Sequence, residues 1–84
     1  MAVKVTVRYF AAARAAAGFD DEIIGIAPGT TVGALVRNLS GRDPEFAKVL
    51  SRCSYLCDGI AVRDSGMTLG DAQTVDVLPP FAGG

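Results

Sequence analysis

The chain has 84 residues, half of them apolar and a fifth charged, with a formal net charge of -1 and a pI near 5.1. Those totals fit one folded domain with a modest core, since a chain this short buries only roughly 60–65% of the surface its unfolded form exposes. They exclude a disordered polyelectrolyte and offer no basic excess for nucleic acid or lipid headgroups. Four Phe and two Tyr without Trp supply no base-stacking platform. The absence of His removes the usual general base and the commonest metal ligand. Arg8, Arg14, Asp20 and Asp21 interrupt the richest apolar region, so no run approaches the ~18–20 residues of a membrane span. The start of the chain enters a strand pattern directly, where a secretory leader needs a long apolar stretch. A cytoplasmic location is the expectation.

In "VKVTVRYF", Val3, Val5, Val7 and Tyr9 share one face and Lys4, Thr6, Arg8 and Phe10 the other, which predicts a half-buried strand over 2–10. "AAARAAAG" favours a short helical turn with Gly18 as its stop. "DEIIGIA" reads as a strand over 21–27, closed by a Pro28-Gly29 turn. Thr31 can cap a helix in which Val32, Leu35, Val36 and Leu39 fall on one face, with Gly41 closing it. Gly33 weakens that helix slightly, or lets another backbone approach. Asp43 and Pro44 open a second helical stretch with Phe46, Val49, Leu50 and Cys53 on one stripe.

Three short strands follow in "SYLCD", "IAVRD" and "QTVDVLP", with turns at Asp58-Gly59 and Asp64-Ser65-Gly66. "MTLGDA" has room for one tight helical turn. The order predicts an α+β sandwich of one sheet and one helical layer, with the first and last strands at the sheet centre.

Self-contained chemistry is missing. "GIAPG" and "SGMTLG" lack the spacing and the Lys of a phosphate loop. The acidic pairs Asp20-Asp21 and Asp21-Glu22 are each neighbours at a strand start and so point to opposite faces, and Asp64, Asp71 and Asp76 read as turn or edge residues. Cys53 and Cys57 stand four apart, which is neither a redox pair nor half of a zinc knuckle; two reduced, partly buried thiols are expected.

The ending "LPPFAGG" holds what chemistry there is. Pro79 and Pro80 lack a backbone N–H and cannot continue a sheet ladder. The six residues from Pro79 to Gly84 can then reach about 20 Å. Gly83 and Gly84 carry no side chains and fit a narrow slot, Ala82 is small, and Phe81 is suited to anchor in a pocket at its entrance. The terminal carboxylate is ionised and a poor electrophile, so it serves as a carrier only after activation, most simply as an adenylate.

"VTVRYFAAARAAAG", "TTVGALVRNL" and "VDVLPPFAGG" together resemble the MoaD/ThiS family of ubiquitin-like sulfur carriers, on its molybdopterin synthase small-subunit branch, over essentially the whole chain. The resemblance implies a single β-grasp domain over 1–84: a mixed sheet of about five strands covered by one main helix and short helical segments, with 79–84 an extended C-terminal tail. It implies that the chain alone is no enzyme and binds no cofactor or metal. An E1-like adenylyltransferase, using ATP and its own zinc, would adenylate Gly84. A persulfide donor would then convert the terminus to a thiocarboxylate, and sulfur would be carried covalently at Gly84. The tail, Pro79 to Gly84, would thread into a large synthase subunit within a heterotetramer and give sulfur for the molybdopterin dithiolene. Nucleic acid and membrane are not expected partners.

By position, Phe10, Ile60 and Leu78 match the family's apolar contact positions and Arg14 matches its motif arginine. The plain alternatives are core packing for Phe10 and Leu78 and a solvated helix position for Arg14. Phe81 departs from the smaller aliphatic usual before Ala-Gly-Gly, and "DAQTVDV" departs from the usual approach to the last strand. Other outcomes of the same tail chemistry are sulfur transfer to thiazole, cysteine or tRNA thiolation, and ubiquitin-like protein modification through Gly84. A binding module using a sheet edge, or a redox protein using Cys53 and Cys57, are rivals that make no use of the tail.

Overall fold

Residues 3–80, which the computed structural model describes, run β1 (Val3–Tyr9), α1 (Ala11–Ala17), β2 (Asp21–Ile26), α2 (Val32–Ser40), α3 (Pro44–Leu50), β3 (Ser54–Cys57), β4 (Ile60–Ala61) and β5 (Thr74–Leu78). The five strands form one sheet in the order β2-β1-β5-β3-β4. Only β1 and β5 run parallel; β1–β2, β3–β5 and β3–β4 are antiparallel. The last strand is therefore central and the first lies beside it, as their apolar alternation predicts. This is the mixed-sheet α+β architecture expected of a β-grasp.

Alternation decides which face is covered. Val5, Val7 and Tyr9 of β1 and Val75 and Val77 of β5 are buried with Ile26 and Cys57 under the helices. Ala13, Leu35, Leu39, Phe46 and Leu50 supply the helical half of that core. Tyr9 packs edge-to-face on Phe46, ring centroids 5.6 Å apart.

The helix signals act as read. Thr31 Oγ1 accepts from the Ala34 N–H at 3.1 Å, and an Asp43 carboxylate oxygen accepts from the Phe46 N–H at 3.0 Å, with Pro44 in the first turn. Gly18 ends α1 in the left-handed region, φ 91°. Gly33 is the close approach. Its N–H donates to Ser65 O at 2.8 Å, and a Cβ there would stand 3.2 Å from both Ser65 Cβ and Ser65 O.

Four expectations need correction. "IAVRD" pairs only through Ile60 and Ala61, because it forms the sheet edge beyond the tight Asp58-Gly59 turn, with φ 50° and 82°. "MTLGDA" makes no helical turn: Thr68 bridges Thr31, and the Leu69 N–H donates to Thr30 O, so its backbone is used between segments. Asp76 is no edge residue; it lies in the middle of β5. Cys53 does not continue the helical stripe of Phe46, Val49 and Leu50, since α3 ends at Leu50 and Cys53 sits in the turn after it, donating its thiol to Val49 O at 3.1 Å.

Candidate docking face and tail exit

The three helices cover one face of the sheet and leave the other open. Strand register arranges the open face in rows. Asp21, Arg8, Asp76, Leu56 and Ala61 form one row across all five strands. Leu78 and Ser54 form the next row toward the tail. Phe10 joins it, because the Phe10 N–H donates to Val77 O at 3.2 Å and continues the β1–β5 pairing by one residue. Ile23, Thr6 and Thr74 lie on the opposite side of the charged row, and Ile23 is 71% exposed.

The chain turns from sheet to helix at Phe10, which is extended (φ -122°, ψ 148°) and half-buried. The turn is made by Ala11 at φ 49°. For a residue with a Cβ that conformation costs about 1–2 kcal/mol. The cost is met where a candidate docking residue is set on the sheet rim. Nothing in "AAARAAAG" announces it, because a left-handed position usually shows as Gly or Asn. One turn on, Arg14 is exposed with Nη1 3.5 Å from Asp20 Oδ1. A cleft of about 250 Å³ is lined here by Arg8, Tyr9, Phe10, Ala11, Arg14, Asp20 and Asp21.

Leu78 is half-buried and last in its strand; Pro79 is half-buried and Pro80 exposed. Neither proline has an N–H, so pairing stops and the chain leaves between the start of α1 and the start of β3. Phe81, Ala82, Gly83 and Gly84 lie outside the described residues. The sheet thus brings Phe10, Leu78 and the Pro79-Pro80 exit together, with Arg14 beside them. Ile60 is set apart: it is 73% exposed on β4, in register with the buried Cys57.

Beneath this rim a polar staple ties three segments. Tyr9 donates its hydroxyl to Glu22 at 2.6 Å, and Arg42 donates twice to the same carboxylate at 2.8 and 3.0 Å. Burial works against the Glu22 charge, but the bonds from Arg42 and then Tyr9 outweigh it and hold the carboxyl below its ordinary value of 4.5. Burial, reinforced by Glu22, pushes the Tyr9 hydroxyl upward. A depressed carboxyl stabilises the fold above its unfolded pKa and loses that contribution as pH falls through the folded value. Glu22→Gln is therefore expected to cost about 1–2 kcal/mol at neutral pH. In melts at stepped pH, the gap to wild type should close as the medium is acidified below pH 4.5.

Burial raises both thiols, with Asp58 adding to the effect at Cys57, so both stay protonated at neutral pH. No group of three metal-ligating side chains occurs among the described residues. No helix among them is long and apolar enough to cross a membrane.

The model of the ThiS family matches residues 7–84. Among solved structures the chain is similar to a protein described as molybdopterin converting factor subunit 1 from Pyrococcus furiosus, with 30% identity, 94% of this chain and 99% of that one covered, and a TM-score of 0.84. It is also similar to small archaeal modifier protein 1 from Methanosarcina acetivorans, with 23% identity, 100% and 99% covered, and a TM-score of 0.82. A third likeness is to the complex of subunits 1 and 2 of the molybdopterin-converting factor from Helicobacter pylori, with 21% identity, 98% and 100% covered, and a TM-score of 0.75. The last two likenesses speak for the fold alone. No curated protein matches the chain.

Proposed function

Because this chain belongs to the ThiS family, we propose that it is a sulfur carrier whose Gly84 carboxyl is the working group, serving molybdopterin synthesis. The observation that carries the reading is that the family match extends through Gly84, beyond a strand stopped by Pro79 and Pro80. The small carrier works with partners and is not itself the catalyst.

The chemistry follows from the carboxylate. An E1-like enzyme lets the Gly84 carboxylate attack the α-phosphorus of ATP, and pyrophosphate leaves. A persulfide sulfur then displaces AMP from the acyl carbon, and a thiol cleaves the resulting acyl disulfide to leave the thiocarboxylate. Pro79 and Pro80 hold the tail away from the sheet, Phe81 seats at the partner's entrance, and Ala82 and Gly83 pass through its slot. Phe10, Leu78 and Arg14 hold the body against the large subunit, with Ile60 an outlying contact. The likeness to the Pyrococcus furiosus subunit 1 supports the molybdopterin branch over other sulfur acceptors.

The test is transfer. Thiocarboxylated chain, mixed with the large synthase subunit and the cyclic pyranopterin precursor, is expected to yield dithiolene product as the chain returns to the carboxylate. Transfer instead to a thiazole or cysteine synthase would assign another pathway, and isopeptide conjugates on lysines in cell lysate would assign protein modification.

A further inference from the structure

On the open sheet face, Arg8 is anchored on two sides and free on the third. Its Nε stands 3.5 Å from Asp76 Oδ1, the register partner on β5. Its guanidinium carbon stands 5.3 Å from the centre of the Phe10 ring, within cation–π range. The side chain is still 51% exposed, and Asp21, opposite it on β2, makes no ion pair with it among the described residues. Asp76 Oδ1 is buried with no hydrogen-bond partner among the described residues. Half-exposed over an aromatic ring, with Nε its atom nearest Asp76, the Arg8 guanidinium is placed where a carboxylate could take it through two parallel bonds.

The surroundings select the occupant. Leu78 and Leu56 border the pair, and Phe10 lies under the guanidinium, so the site is an apolar patch with one charged centre. Asp21 and Asp76 flank Arg8 in its row, so a multiply charged phosphate meets more repulsion there than a singly charged carboxylate does. From this geometry we infer that Arg8 is a specificity-determining contact, receiving an Asp or Glu side chain of the large subunit at the centre of the docking face. Asp76 is its positioning residue. The inference rests on the docking reading above and names the chemistry of the partner's matching surface.

The experiment is calorimetric binding of the full-length chain to the purified large subunit, with melting curves for each variant. Arg8→Gln should weaken binding at least tenfold, and the affinity of wild type should fall more steeply with salt than that of the variant. Arg8→Lys keeps the charge and loses the fork, so it should bind several-fold more weakly than wild type while folding normally. Its amine should cross-link through carbodiimide to an Asp or Glu of the large subunit. Arg8→Gln within twofold of wild type, or no acidic residue linked at position 8, would overturn the inference, provided Leu78→Asp weakens binding. If Leu78→Asp also binds as wild type does, the docking reading itself fails and the inference falls with it.

Discussion

Deleting Gly84 abolishes sulfur acceptance by the chain and leaves its thermal midpoint unchanged. The two halves of this expectation have separate causes. The core is made by β1, β5 and the helices, and its buried members run from Val5 to Val77. β5 ends at Leu78, and Pro79 and Pro80 have no N–H to continue its ladder. The proposed chemistry depends on an α-carboxyl placed one residue past Gly83. A chain ending at Gly83 presents its carboxylate about 3.5 Å short along an extended backbone. A displacement of even ~1 Å at a reacting centre costs about a hundredfold in rate, so a shift of a whole residue removes the reaction. Mass spectrometry for acceptance and a circular dichroism melt for stability read the two halves. An unchanged rate of sulfur uptake in the deletion variant would remove Gly84 from its assigned role.

Phe46→Ala is the most damaging single change expected within the body. Phe46 is 2% exposed and lies edge-to-face against Tyr9, whose hydroxyl anchors the Glu22 and Arg42 staple. Emptying that site costs about 3–5 kcal/mol. A small domain holds only about 5–15 kcal/mol in total. For a chain of this size the loss lowers the midpoint by roughly 15–30 °C. A melt gives the answer directly. A drop of only a few degrees would mean that the core refills the space, and that Tyr9 keeps its orientation without the ring beneath it.

The parts of the fold carried by local chemistry were legible in the sequence. Alternation in "VKVTVRYF" placed Val5, Val7 and Tyr9 inward, and Thr31, Asp43, Pro44 and Gly18 marked helix ends where the backbone needed them. Gly33 read either as a weak point of its helix or as room for another backbone, and Ser65 fills that room. The misread parts depend on neighbours distant in sequence. Asp76 reads as an edge residue until β5 is placed between β1 and β3, where it becomes the register partner of Arg8. "MTLGDA" has helix-compatible residues, but its backbone groups are claimed by Thr30 and Thr31. Phe10, Arg14 and Leu78 were singled out by resemblance, and Phe10 and Leu78 meet at one rim because β1 and β5 end side by side there. Arg8 was not: only the pairing of strands far apart in sequence puts it over Phe10 and beside Asp76.

The most direct measurement is the intact mass of the full-length chain after incubation with its E1-like enzyme, ATP and a persulfide donor. A chain built to present its carboxyl group should gain the mass of one oxygen replaced by sulfur, with the change mapped by fragmentation to Gly84. A mass that stays at the unmodified value with all components active, or a sulfur found on Cys53 or Cys57 instead, would contradict that account.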